Sequence, residues 1–459
     1  MTRSGRRPTR SSRRRFLQTA GVSLGALTLA PAATGAESTQ RFVVDAHAQD
    51  LQEAPDVEVV HDLRSVGLLV VRTTADALAN AGVAYAPDGR YSPALPRGVP
   101  RRSPRVEYPP EGETLYEYQW DKQDQQIPAA HEITRGEGTR VAVIDSGIGA
   151  GHPDLQHAVN ADLSKNFTDD SLGAPGPYGG AHGTHVAGSV AASDRTDAGV
   201  VGSAPDAELV DLRVFSAVEP SSFEAWMGDV LAAIVYSADI DADAANLSLG
   251  WTFRFRDDDW GRFWGKAMQR TTTYANRNGT VLTHACGNWG GTLQFDRDQR
   301  DSSETAGGLT VSATGPVGFE WGEAGLVEPP HAPAFYTNYG TNAVDLGAPG
   351  GNADLDAIGT GEPWYHDYVV NTVAVPEFDE ETGEYLGATY GYDWYAGTSM
   401  AAPQVAGAVA LVKSANPQFN ANQVKSVLER SAAVPDEYEK KYYGSGYLDT
   451  YGAVTSSQS

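Results

Sequence analysis

The sequence predicts an α/β chain: a large alternating domain built on a mostly parallel sheet, preceded by a small α+β unit. Three observations carry that expectation. First, apolar runs such as "TRVAVID", "ELVDLRV" and "TVLTHACG" (139–145, 208–214 and 280–287) are strand-sized and lack polar alternation, as strands covered on both faces require. Second, glycine-opened helical patterns separate them, the rhythm of strand-helix-strand units. Third, the 459-residue length accommodates one large domain and a smaller one.

In chain order, residues 1–36 hold seven arginines, the apolar stretch "LGALTLAPAA" and small residues ending at Ala36. This is a targeting segment whose apolar part is too short to remain as a membrane span. Its "SRRRFLQ", Ser12–Gln18, resembles the twin-arginine export signal, which implies an extracellular protein carried out already folded. From Arg41 to about Asp88, "RFVVDA", "VEVVHDL" and "VGLLVVRTT" surround the helical "ADALANAG", hence the small α+β unit. Between Tyr91 and Pro110 there are six prolines and four arginines without apolar periodicity, an extended and cleavable linker. The second unit begins near Glu113. The expected division is therefore 1–36, 37–112 and 113–459.

Composition excludes several functions. The chain has 34 basic and 59 acidic residues, and seven of the bases lie within the first 36 positions, where there is no acid. The remainder is strongly acidic with only seven lysines, so nucleic acid is excluded as a partner for want of cations to displace counterions. Diffuse acidity predicts a soluble monomer adapted to salt, which screens its self-repulsion. The single Cys286 excludes an internal disulfide.

Three polar residues stand at expected element boundaries. Asp145 closes the strand "VAVID", at a carboxyl edge where open α/β sheets form clefts. His182 starts the helix "HGTHVAGSVAA", and Ser399 opens another in "YAGTSMAAPQVAG". A serine at such a start has a plain use as a helix cap. An aspartate, a histidine and a serine at converging element ends are also the parts needed for acyl transfer, in which base, orienting carboxylate and nucleophile act together.

These segments, "VAVIDSGI", "HGTHVAG" and "GTSMAAP" in that order, resemble the aspartate, histidine and serine motifs of the subtilisin-like serine proteases, the subtilase family. The resemblance spans about 113–459, extends to the halolysin-type members through the acidic composition, and implies a three-layer domain with helices on both sides of the sheet. It implies Ser399 as nucleophile, His182 as general base and then acid, and Asp145 as the group that fixes the histidine tautomer. Asn288 in "ACGNWGG" would be the oxyanion donor. Ser248, Leu249 and Gly250 of "NLSLGW" would bind extended substrate by strand addition, opposite Ala285 and Gly287, with broad specificity. Trp251 departs from the family's glycine and alters the adjoining subsite. No catalytic cofactor is expected, whereas Asp154 in "GHPDL", with the loop "SDRTDAGVVG", could help hold a structural calcium.

The pair His182 and His185 lacks the glutamate and spacing of a zinc-protease helix, so His185 reads as structural. Residues 37–112 would be a propeptide, an intramolecular inhibitor removed by self-cleavage between Arg97 and Leu115. The acidic "EFDEETGEY", within an insertion between Pro349 and Gly397, reads as a surface hairpin. An inactive peptide-binding homologue is the competing functional class.

Overall fold

The computed structural model describes residues 39–46, 56–91, 114–193, 198–219, 222–249, 252–253, 259–293, 300–301, 308–322 and 325–458. The export motif, most of the proline-arginine linker, Asp194–Asp197, Gly250 and Trp251 lie outside them.

The small unit is a four-stranded antiparallel sheet in the order Glu58–Leu63, Leu68–Thr73, Gln40–Asp45, Tyr85–Pro87. Its helix Ala75–Ala81 begins where the Thr74 hydroxyl accepts from Ala77 N and stops at Gly82, whose φ of 64° is a left-handed terminus. Phe42, Val44, Leu69 and Val71 cover Leu78 of that helix. Val43, Leu68 and Val70 point the other way, into a core shared with Met227, Val230 and Leu231 of the large unit. Burial on both faces explains why these strands read "FVV" and "LLVV" without polar alternation.

The large unit is organised by eight parallel strands, in the order Gly446–Tyr447, Leu346–Pro349, Gly308–Thr314, Val281–Ala285, Ala244–Leu247, Arg140–Asp145, Glu208–Arg213, Lys165–Asn166. Val141 and Val143 face a core formed with helices His182–Ala191, Thr398–Ala415 and Ala421–Ser431. Ala142 and Ile144 face the opposite core, closed by Met227–Asp239 and Asp259–Arg277. This is the expected three-layer arrangement, and it accounts for the uninterrupted apolar strands. After Asp145 the chain first builds outward through the strands at 165 and 208, then crosses to Ala244–Leu247 on the other side. The carboxyl end of the Asp145 strand is thus the point where strand order reverses, where such sheets open a crevice.

The insertion between Pro349 and Gly397 forms an antiparallel hairpin, Val369–Phe378 with Tyr385–Tyr395. Only its acidic tip is a surface feature as expected. Its base is buried, with Val370, Val373, Ala374, Tyr392 and Trp394 each at most 3% exposed.

Candidate active site

The first half of the site forms where the Asp145 strand ends. Asp145 is fully buried, and its Oδ1 accepts from Ser146 N at 2.7 Å and pairs with His182 Nδ1 at 2.8 Å. Ser146 joins the two segments: its hydroxyl donates to Gly180 O and accepts from Gly183 N, the second residue of the histidine helix. The turn that follows needs Gly147, with φ at +105°, because a Cβ there would lie 1.9 Å from Gly176 O. Burial works against the His182 imidazolium, but the charge of Asp145 and the hydrogen bond to it outweigh that effect and raise the pKa above the ordinary 6.5. With Nδ1–H held by the carboxylate, Nε2 is left as the basic nitrogen.

The second half forms at the start of Thr398–Ala415. Ser399 is not its cap. Gly397 occupies the cap position without a side-chain bond, and Asn288 Oδ1 accepts from Thr398 N and Thr398 Oγ1, both at 2.9 Å. The Ser399 hydroxyl instead donates to Ser248 O at 3.1 Å. Pro403, inside this helix, has no N–H for the Ser399 carbonyl four residues earlier. Ser248 Oγ supplies the missing donor at 2.7 Å, and is itself held by Asn246 Nδ2 at 2.8 Å. Proline at that position therefore ties the serine helix to the strand end that carries Ser248.

Holding Asn288 by its oxygen directs its Nδ2 group. A Cβ placed on Gly397 would lie 3.6 Å from both Asn288 Nδ2 and Ser399 N, so two nitrogens bearing hydrogens lie around one point at the start of the serine helix. The helix start adds a favourable dipole for negative charge there.

Ser248 and Leu249 are each 2% exposed at the end of Ala244–Leu247. Ala285 ends the neighbouring strand, and Gly287 follows with φ at +99°, its α-hydrogen side closed by Asn338 and Trp289. Gly250 lies outside the described residues. Cys286 is a buried, packed thiol against Asn338 O at 3.4 Å.

His185 is used structurally. Its Nε2 lies 3.1 Å from Val369 O and 3.2 Å from Asp393 O, its ring stacks on Tyr395, and burial depresses its pKa to about 3. It joins the histidine helix to the hairpin base. Asp154 Oδ2 accepts from Val200 N and Tyr392 OH, and burial lifts its pKa to about 6. Its buried Oδ1 has no partner, as a cation ligand would lack without its ion. Among the described residues, however, no group of three or more His, Cys, Asp or Glu is placed to hold a metal. One carboxylate falls well short of the six to eight oxygens of a calcium cage.

Two residues that carry the site had no signal in the motifs. Asn338, fully buried, donates to Cys286 O and accepts from Trp289 N and Gly291 N, bracing the loop that presents Asn288. Asp211 Oδ2 accepts from Ile148 N at 2.8 Å and Gly176 N at 3.1 Å, clamping the turn after Asp145 to the segment before His182. Both look like ordinary polar residues in sequence, since their partners are distant backbone groups.

Against known families, residues 136–448 match the model described as the subtilase family. The chain belongs to that family. This subtilase is 30% identical over 304 residues to fervidolysin of Fervidobacterium pennivorans, covering 66% of this chain and 38% of that protein. It is 28% identical to thermitase of Thermoactinomyces vulgaris, covering 76% of this chain and 99% of that protein. Its fold superposes on the epidermin leader peptide processing serine protease of Staphylococcus aureus with a TM-score of 0.70, at 20% identity, over 92% of this chain and 99% of that one. As a subtilase it is a subtilisin-like serine endopeptidase, and the family needs no cofactor for catalysis. No described helix is long and apolar enough to cross a membrane.

Proposed function

We propose that this subtilase cleaves peptide bonds through an acyl-enzyme formed on Ser399. The observation that carries the reading is the 2.8 Å contact of His182 Nδ1 with Asp145, which leaves Nε2 as base, together with Asn288 Nδ2 and Ser399 N lying near Gly397 at the start of the serine helix. Turning about its Cα–Cβ bond, the Ser399 hydroxyl exchanges Ser248 O for His182 Nε2. Its oxygen attacks the substrate carbonyl carbon while the proton passes to Nε2. The resulting oxyanion takes hydrogen bonds from Asn288 and Ser399 N–H. As the C–N bond breaks, His182 returns the proton to the leaving amine; water then repeats the sequence to release the acid. Substrate is held as an added strand on the backbone at Ser248–Gly250, which favours broad specificity and flexible proteins.

The finer parts of the reading are export by the twin-arginine route, a halolysin-like adaptation to salt, a monomeric state, and residues 37–112 as an inhibitory propeptide. The last is supported by strand Arg90–Tyr91, which pairs antiparallel with Ser222–Trp226 of the large unit. A structural calcium at Asp154 is a further finer part, supported by the buried Asp154 Oδ1 that has no hydrogen-bond partner.

The test is stoichiometric labelling by a serine-directed phosphonate. The expected result is one label per chain, absent in Ser399→Ala and in His182→Ala. Asn288→Ala should label slowly, with turnover on peptides down about 10²–10³-fold at little change in KM. Labelling that survives in Ser399→Ala would end this assignment by placing the nucleophile elsewhere, and an unlabelled wild type would favour a peptide-binding role.

A further inference from the structure

Lys122 sits in helix Trp120–Asp124 with its side chain fully enclosed. Its ammonium reaches Ser189 O at 2.9 Å, Ser203 Oγ at 2.9 Å and Gln404 Oε1 at 2.5 Å. An ammonium has three N–H donors, and each has an acceptor here. Gln404 Nε2 in turn donates to Asp121 Oδ2 at 2.7 Å, and that carboxylate lies 3.5 Å from Lys122 Nζ. Ser189 belongs to the helix that His182 begins, about two turns along. Gln404 belongs to the helix of Ser399, five residues on.

Those two helices pack directly on each other. Their sequences, "HGTHVAGSVA" and "TSMAAPQVAGAVALVKSA", are dominated by glycine, alanine and valine, and the Ser399 helix also lies close against the segment that follows the histidine helix: a Cβ on Gly407 would lie 2.6 Å from Ser203 Cβ. Such smooth apolar faces attract without direction, so little in their shape stops one helix from sliding along the other. Directed hydrogen bonds from a buried cation do, because moving either helix strands a charged donor away from water.

We propose that Lys122 is a positioning residue for the peptidase reaction, pinning the His182 helix against the Ser399 helix. The proposal rests on the reading of Asp145, His182 and Ser399 given above. Lys122 touches no substrate. It acts through the spacing between imidazole and hydroxyl, where an error of about 1 Å can cost up to about 10²-fold in rate. Lys122, Asp121 and Gln404 hold one another, although Asp121 Oδ1 is buried without a partner, so replacing all three by apolar residues of similar volume restores burial without restoring direction.

The decisive comparison uses the full chain carrying Lys122→Met, Asp121→Leu and Gln404→Leu together, beside Lys122→Met alone and Ser203→Ala. The triple variant is expected to melt within a few degrees of the wild type yet turn over peptide about 10- to 10²-fold more slowly, with KM within about twofold. Ser203→Ala, which removes one anchor and no charge, is expected to lower kcat about threefold with KM unchanged. A triple variant whose kcat recovers along with its melting temperature would overturn the proposal, leaving Lys122 a purely structural residue. If the triple variant does not fold, an unaltered kcat in Ser203→Ala overturns it instead. Phosphonate labelling of the wild type separates the two levels: no label on Ser399 refutes the triad itself, whereas full labelling with slow variants supports Lys122.

Discussion

Two buried acid–base clusters in this molecule have opposite characters. At the junction of the small and large units, Arg41 is 5% exposed and meets Asp88 through Nε at 3.0 Å and Asp229 through Nη2. Asp229 also takes His61 Nε2 at 2.8 Å, and Asp88 accepts from Gly228 N at 2.9 Å. Trp226 stacks beneath both Arg41 and Arg90. Every element there is locked by several others, across 188 residues of sequence in the case of Arg41 and Asp229. At the active site, by contrast, one carboxylate meets one imidazole, Asp145 Oδ2 is buried without a partner, and the serine hydroxyl rests on a backbone carbonyl. Many shared partners make a latch, even though Arg41 Nη1 and Asp229 Oδ2 are themselves without a hydrogen bond. Few shared partners make a site, because protons and substrate need places that the resting structure leaves open.

The largest effect that tests this contrast is at Asp145. Asp145→Asn should lower kcat/KM by on the order of 10⁴-fold, because the imidazole loses its oriented tautomer. The pH profile supplies the sharper reading. His182 must be neutral to act as base, and the aspartate raises its pKa above 6.5, so the wild-type rate should rise with pH through a midpoint above that value. In Asp145→Asn the midpoint should move to lower pH. A profile that keeps its midpoint would mean the carboxylate does not govern this histidine.

The junction comes next. Arg41→Met leaves Asp88 and Asp229 buried without their cation, a loss of about 3–5 kcal/mol and hence roughly 10²–10⁴-fold in the docking of the small unit. The measurement is made in a Ser399→Ala background with the linker nicked by an added protease. The unmutated pair should stay together in gel filtration, and the Arg41→Met pair should separate on dilution. Co-elution of both would show that the apolar face of Val43, Leu68 and Val70 suffices, and that the ion cluster is not the latch.

The smallest effect concerns Asp211, which joins the two halves of the site from behind. Burial raises its pKa to about 7 against 3.8 for a free carboxyl. Between those values the folded protein holds a proton that the unfolded chain has released, so this group's contribution to stability falls as pH rises across that window. Asp211→Asn keeps an acceptor for Ile148 and Gly176 and removes the titration. Its unfolding free energy should lose less between pH 4 and pH 7 than the wild type's, by about 1–3 kcal/mol. Identical pH dependence in both proteins would show that Asp211 is charged throughout, as its neighbour Arg213 favours, and is no weak point of the clamp.

How far the chain could be read without its structure varied with the distance between partners. Asp145, His182 and Ser399 each stand at the end of an element whose apolar pattern lies within a dozen residues, so both the elements and the polar residues at their tips were legible. The same holds for the strands of the small unit and the hairpin. The role of the Ser399 hydroxyl was not. Its position suggested a helix cap, but Asn288 holds Thr398 N, and the proline four residues on hands the Ser399 carbonyl to Ser248. Asn338, Asp211 and Lys122 were silent for the same reason: each serves backbone or side chains from segments that sequence spacing does not connect.

The linear sequence by itself determined the alternation of strands and helices, the order of the three motifs, and the acidic balance, because these follow from local periodicity and composition. The tertiary structure alone decided which lone pairs and N–H groups find partners. Hydrogen bonds and buried charges act over about 3–4 Å, and only the folded chain brings positions tens to hundreds of residues apart within that reach.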